Sequence, residues 1–450
     1  MVPKMLTKIC VGSLLSCSFI GYTQDKPNIL LILADDLGYG DLSCNGGNDI
    51  HTPNIDKLFA KGVRFTNFYA NCTVSSPTRA SLMTGCYPDM AGVPGVIRTH
   101  ESDSWGYFLP GKITLPDMLK RAGYQTALIG KWHLGLESPN LPNERGFDFF
   151  NGFLGDMMDD YWNHLRHGIN YMRLNRIEID PEGHATDIFS GWAVDYIREK
   201  AKEKKPFFLY LAYNAPHFPI QPPEEWVDRV KKREGGIDEK RAKNIAFVEH
   251  LDYGIGVVIN ALNESGQYHN TVIIFSSDNG GHLPSGASNG KLRGGKQDMY
   301  EGGIRVPACM VWEGTIKTGT VSDKLGLTMD FYPSICSIAG LSVTHSIDAV
   351  NLMPGLSGNS KGEEDNRMVY FMRREGGIYG GLCYYAARKG AYKLLQNTPY
   401  EKYQMFNIVS DPYEELPLDE NMQQFRELKY GLSQHIRRSG GVTWQKTGDN

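Results

Sequence analysis

Asn28-Ile-Leu-Leu-Ile-Leu-Ala34 is an uninterrupted apolar run that ends abruptly on two carboxylates, Asp35 and Asp36. A strand with one wet face would alternate polar and apolar residues. A continuous run of this length belongs to a strand buried on both faces, and so to a parallel sheet covered by helices. Three more runs behave in the same way. Thr126–Ile129 leads into Gly130-Lys131-Trp132-His133-Leu134-Gly135, Phe207–Ala212 into Asn214-Ala215-Pro216-His217, and Thr271–Phe275 into Asp278-Asn279-Gly280. Between them lie stretches with helical ends or helical spacing: Thr52-Pro53 to Gly62, Thr114 to Gly123, Ile188-Trp192-Tyr196, and Ile245 to Leu262. Strands alternating with helices predict an α/β fold, a large doubly wound and mostly parallel sheet sandwiched by helices. Such sheets bind ligands beyond the carboxyl ends of their strands. Four buried strands therefore deliver Asp, Lys, His and Asn side chains to one rim.

The texture changes after about residue 345. Val369–Met372, Leu382–Ala386 and Tyr392–Leu395 are short β-like runs, Phe406–Leu418 reads as a turn-rich edge, and Gln423–Ile436 as an amphipathic helix. The expected organisation is a catalytic unit over 25–345 and a smaller antiparallel sheet plus helix over 346–450. Residues 1–24 read as an export signal, with Lys4 and Lys8 ahead of the apolar run Ile9–Gly21, which is too short to span a bilayer. Leu14-Leu15-Ser16-Cys17 also resembles a lipoprotein cleavage box, so both ordinary secretion and an N-terminal lipid anchor are open. Either route places the protein in the bacterial periplasm or on the cell surface. Net charge is 47 − 51 = −4, which carries no nucleic-acid footprint. The six cysteines beyond the signal show no zinc or redox spacing. Cys72 and Cys86 are a candidate disulfide pair, with buried free thiols the open alternative.

Ser75-Ser76-Pro77-Thr78-Arg79, running on to Thr84-Gly85, reads locally as a helix start with Ser76 as N-cap, Pro77 in the first turn and Gly85 as a left-handed stop. A hydroxyl there lies at the positive end of a helix dipole, a ready anion site, and Arg79 can reach back over the same point. The pattern resembles the signature of type I sulfatases, of the alkaline-phosphatase-like superfamily, with Thr78 where the family usually has Ser or Ala. The resemblance covers nearly the whole mature chain. It implies that Ser75 is oxidised by a formylglycine-generating maturation enzyme to formylglycine (3-oxoalanine), whose hydrate is the nucleophile.

Asp35, Asp36, Asp278 and Asn279 are oxygen donors that suit a hard cation, Ca2+ before Mg2+, and the lack of a histidine among them argues against zinc. The resemblance places the family's calcium ligands on these four, with the group at Ser75 beside them. It also implies that Lys131 contacts the sulfate and His133 the formylglycine hydrate. His217 would protonate the leaving alcohol, and Lys296, in Leu292-Arg293-Gly294-Gly295-Lys296, would bind sulfate and the leaving group.

The alcohol half of the site is less sharply written. Asp159, Asp160, Trp162, Asn163 and His164 mix acidic, amide and aromatic groups suited to a sugar, and Arg98, His100, Arg373 and Arg374 are further rim candidates. Export and the resemblance together imply desulfation of a sulfated glycan, with exo action on a terminal hexose or N-acetylhexosamine of mucin or glycosaminoglycan. Two alternatives remain at this level. One is a phosphate or phosphonate ester hydrolase of the same superfamily; the other is a non-catalytic glycan-binding protein, if Ser75 stays a serine.

Overall fold

The computed structural model of the chain describes residues 26–356, 366–375 and 383–446; residues 1–24, where an export signal is expected, lie outside the described residues. One sheet has ten strands. They are β1 (Asn28–Ala34), β2 (Val63–Phe65), β3 (Gln125–Lys131), β4 (Phe149–Phe153), β5 (Met172–Leu174), β6 (Ile177–Glu178), β7 (Phe207–Ala212), β8 (Thr271–Ser277), β9 (Ala308–Val311) and β10 (Thr320–Ser322). Their order across the sheet is β10-β2-β9-β8-β1-β7-β3-β4-β5-β6. The central five, β8-β1-β7-β3-β4, are parallel, and antiparallel pairs flank them on both sides. β1, β3, β7 and β8 are the four apolar runs.

Register brings their ends level. Ala34 pairs with Ser277, Leu33 with Ala212, and Ala212 with Gly130. Asp35, Lys131 and Asp278 therefore leave the sheet on one rim. Gly130 has φ +103, and a Cβ there would lie 1.9 Å from the Ala212 carbonyl oxygen, so this approach of β3 to β7 requires glycine.

The helices are α1 (Pro53–Lys61), α2 (Ser75–Thr84), α3 (Leu115–Arg121), α4 (Ala185–Lys200), α5 (Glu224–Arg233), α6 (Glu239–Glu264), α7 (Phe331–Ile338) and α8 (Gln423–Ser439). Alternate residues of β1 feed opposite layers, as the pleat demands. Leu30, Ile32 and Ala34 pack with α1, α4, α5 and α6, whereas Ile29, Leu31 and Leu33 face α2, α3 and α7. Truncating one of these leucines to alanine would cost about 2–5 kcal/mol. α6 is long and apolar, but most of it is buried between the sheet and its neighbouring helices. α3, within the stretch Thr114 to Gly123 expected to be helical, opens with a reciprocal capping box between Thr114 and Asp117.

The C-terminal part is an antiparallel sheet of β11 (Met368–Arg374), β12 (Cys383–Lys389), β13 (Tyr392–Gln396) and β14 (Gln404–Asn407). α8 sets Phe425, Leu428 and Leu432 against Ala387, Leu394 and Met405. The other face puts Val369, Phe371 and Leu395 against Tyr69, Met299 and Leu327 of the large unit. Within this seam lies a buried ion cluster, in which Lys393 Nζ is 3.0 Å from Glu301 and 2.9 Å from Glu414. Burial opposes ionisation of Glu301, but Lys393 and Arg305 hold it down at about 2. Glu414 goes the other way: burial and the Glu301 charge outweigh Lys393 and push it up to about 7.

Candidate active site

β1 hands the chain to Asp35 and then Asp36. Asp36 has a left-handed backbone (φ +65), uncommon without glycine, and its N–H donates to Asp278 Oδ1 (3.1 Å). α2 opens at Ser75 itself, behind an extended Val74 with no side-chain cap. The expected Ser76 cap is absent because the Ser76 hydroxyl accepts the Ile97 N–H (3.0 Å) and so fastens a neighbouring loop. Gly85 ends the helix at φ +66, as predicted. The Ser75 hydroxyl, at the positive end of α2, donates to Asp35 Oδ1 (3.0 Å) and lies 3.5 Å from Asn279 Oδ1.

Two buried cations, Arg79 and Lys131, and the partly buried Lys296 meet three buried carboxylates here. Lys131 Nζ is 2.5 Å from Asp35 Oδ2, Lys296 Nζ is 2.7 Å from Asp36 Oδ2, and Arg79 places Nη2 2.7 Å from Asp278 Oδ2. Arg79 thus spends its guanidinium on fixing Asp278, with Asp35 Oδ1 3.5 Å away, rather than standing open over the helix start. Burial would raise Asp35, but Lys131, His217 and Arg79 hold it well below the usual carboxylate range. Asp36 is likewise lowered against burial, chiefly by Lys296. For Asp278, burial and the Asp35 charge win over Arg79, and the carboxyl rises to about 7.

The two histidines are neutral at pH 7. His217 falls to about 4 through burial and the Lys296 ammonium, and burial with Lys131 and Arg79 takes His133 well below its ordinary value. Partners fix their tautomers. His133 Nε2–H donates to the Ile97 carbonyl (2.9 Å), which leaves Nδ1 as a lone pair, buried and without a hydrogen-bond partner. Lys296 Nζ donates to His217 Nε2 (3.0 Å), so His217 Nδ1–H donates to the Phe218 carbonyl (2.5 Å). The Lys296 loop is stitched to its surroundings by Lys296 N–H to Gly281 O (3.0 Å) and Gln297 N–H to Thr73 O (3.1 Å).

The donor set fits a hard divalent cation. Ligand atoms of Asp35, Asp36 and His217 lie within 4.8 Å of one another. Asp278 joins them through Asp36 N–H, and Asn279 through its amide on Asp36 Oδ1 (2.8 Å). Crowded carboxylates, one pushed to about 7, are what an added positive charge relieves. Oxygen donors favour calcium or magnesium, and His217 Nε2 is already engaged by Lys296.

The loop Asp159–His164 is not gathered round Ser75. Asp159 holds Arg166 (2.7 Å) and the His167 N–H (2.6 Å), Asp160 caps Trp162 and Asn163, Asn163 accepts Leu165 N–H, and buried His164 faces Gly183 O (3.0 Å). Trp162 stays half exposed against His184. What this loop does reach is His217, through a residue the sequence did not single out. Tyr161, stacked on His184, directs its hydroxyl to Asn214 O (2.7 Å) and His217 O (2.9 Å). Behind it, His184, Asp187 and His250 form a second titratable group, with His250 on Asp187 at 2.7 Å.

Arg373 and Arg374 cannot both face the site, because consecutive strand residues point to opposite sides. Arg373 is buried on Glu375 (2.8 Å), whereas Arg374 reaches Ser439 of α8 (3.3 Å) and is corrected away from the rim. Glu375, also unforeseen, gathers Arg373, Arg98 (3.0 Å) and Val96 N–H (3.1 Å) beside the site. Its one sequence signal is the Arg373-x-Glu375 spacing, which puts both on one strand face. Cys72 and Cys86 are free thiols, and Cys72 Sγ donates to Met372 O (3.1 Å).

Residues 27–341 match the family model of the sulfatases, and residues 295–439 match a model described as N-sulphoglucosamine sulphohydrolase, C-terminal. The N-acetylgalactosamine-6-sulfatase of Mus musculus is 32% identical over 395 residues, 82% of this chain and 71% of that protein. The Homo sapiens protein of the same name is 33% identical over 373 residues, 77% of this chain and 68% of that one. Among solved structures, that of Ps i-CgsB in complex with k-i-k-neocarrahexaose matches with a TM-score of 0.85 at 31% identity, over 94% of this chain and 95% of that one.

Proposed function

Because the chain belongs to the sulfatase family and is a sulfuric ester hydrolase, we propose that it removes sulfate from a terminal sulfated hexose or N-acetylhexosamine of a glycan. The reading rests chiefly on one observation: Ser75, Arg79, Lys131 and Lys296 converge on Asp35, Asp36 and Asp278 at one buried rim. A sulfate ester is a tetrahedral anion, and fixed cations aimed at its oxygens stabilise the charge that grows there during S–O cleavage. The saccharide half of the reading draws on relatives named for N-acetylgalactosamine-6-sulfate and on a neighbour solved with neocarrahexaose.

In this proposal Asp35, Asp36, Asp278 and Asn279 would hold a calcium ion, which would supply positive charge beside position 75, and Ser75, once oxidised to formylglycine by a maturation enzyme, would supply an aldehyde-hydrate nucleophile. Lys131 and Lys296 orient the sulfuryl oxygens, while Arg79 keeps Asp278 in place. His133 takes a proton on Nδ1, the ring nitrogen left without a partner. Lys296 and His217 share the proton held between Nζ and Nε2 and give it to the departing sugar oxygen. Residues 1–24 export the chain, by secretion or with a lipid on Cys17, so that the reaction takes place in the periplasm or at the cell surface.

Sulfate release from a panel of regiochemically defined sulfated monosaccharides and disaccharides, with calcium present and then chelated, tests the whole reading. Release from none of them by a protein whose intact mass confirms formylglycine at position 75 would refute it.

A further inference from the structure

We propose that the chain carries a subsite for an uncharged sugar ring, adjoining the sulfate site and walled by its own C-terminal tail. The inference rests on the sulfatase reading for its meaning but not for its test.

A cavity of about 560 Å³ opens beside the loop that follows His133, lined among others by Ile97, Arg98, Tyr107, Leu136, Tyr171 and Trp444. Its volume lies in the range of small-molecule sites. Ile97 joins it to the chemistry: its carbonyl accepts from His133 Nε2, and its N–H donates to Ser76 beside the nucleophile position. The far wall is the tail. Trp444 stacks on Trp105 with ring centroids 5.0 Å apart and planes 17° from parallel, and Lys446 meets Glu137 at 2.8 Å. Trp105 covers one indole face and stiffens the other as a platform.

The charges decide what such a platform would take. Arg98, on the cavity wall, is matched by Glu375 (3.0 Å), and Lys446 by Glu137. Arg98 shares the Glu375 carboxylate with Arg373 (2.8 Å), a buried side chain outside the cavity lining, and neither Arg98 nor Lys446 lies at a helix start as the Ser75 rim does. A second sulfate or a uronic carboxylate bound here would have to break one of these pairs. An uncharged hexose or N-acetylhexosamine instead lays its C–H face on the indole and offers hydroxyls to Ser104, Asn140 and Gln445. The preferred substrate is then a glycan whose sulfated residue is joined to an uncharged neighbour.

The test uses unsulfated probes, which need neither the group at position 75 nor a metal. Saturation-transfer NMR on the full chain compares a neutral tetrasaccharide of alternating galactose and N-acetylglucosamine with a hyaluronan tetrasaccharide, whose alternate residues carry carboxylates. The neutral probe is expected to receive at least fivefold more saturation than hyaluronan. Trp444→Ala should remove that excess and Trp444→Phe retain most of it. Leu136→Trp, which fills the cavity from an apolar wall, should remove it too, with thermal unfolding as the check that each variant is folded. Equal transfer to both probes, no transfer to the neutral one, or a signal indifferent to Trp444→Ala and Leu136→Trp would overturn the subsite. Failure of sulfate release from every ester tried would count against the sulfatase-site reading alone.

Discussion

The sulfate end and the sugar end of this site are built from different materials. At the sulfate end, Asp35, Lys131 and Asp278 stand directly on the ends of buried parallel strands whose registers are locked to one another, and their partners are buried too. At the sugar end, Arg98, Glu375 and Trp444 come from a loop, the end of a C-terminal strand and the tail, and they meet across more than 270 residues of chain. Rigid elements hold a reacting group in register at little entropic cost, whereas loops can be rewritten without disturbing the sheet. Chemistry and selectivity should therefore respond to different substitutions.

The largest effect should come from Ser75→Ala, which lowers sulfate release by on the order of 10⁵-fold yet leaves the fold intact. Full release by that variant, measured as free sulfate, would remove the nucleophile from the argument. Chelation with EGTA should cost about 10²-fold or more, recovered by Ca2+. Recovery with Zn2+ instead would mean that the oxygen donors are not the ligands. Lys296→Ala should slow sugar sulfates by about 10²–10³-fold, and 4-nitrophenyl sulfate much less, since that leaving group departs without a proton. An equal loss on both substrates would confine Lys296 to binding.

The smallest effect belongs to the seam between the two sheets. Glu414 has its folded pKa raised from 4.5 to about 7. The folded state therefore holds this proton more tightly than the unfolded one, and stability falls as pH rises from about 4.5 through about 7. Glu301 is held at about 2, so its contribution is complete above 4.5 and is lost as pH falls towards 2. Glu414→Gln should flatten the decline in unfolding midpoint between pH 5 and pH 8. An unchanged slope would place the responsible proton elsewhere.

What was legible in the sequence follows the same division. Asp35, Asp36, Lys131, His133, Asp278 and Asn279 each follow a run of apolar residues, and a run buried on both faces announces where its polar sequel must emerge. The outlying strands β5, β6 and β10, of two or three residues, are too short to show a period. Tyr161, Glu375 and Trp444 owe their positions to tertiary packing of segments that carry no local signature. The Asp159–His164 loop had the right residue types for a sugar, but its polar atoms satisfy the loop itself. Composition cannot distinguish a group that faces outward from one that closes its own turn.

The burial of Ser75 sets an order of events in the life of the protein. It is 3% exposed, its hydroxyl points inward to Asp35, and the segment just ahead of it is tied by Cys72 to Met372 and by Thr73 to Gln297. No second enzyme could grip that hydroxyl without pulling the start of α2 away from the sheet it packs on. If oxidation of this serine is what arms the molecule, it has to happen on the nascent or unfolded chain. A copy that folds first is sealed as a well-packed, permanently inert protein.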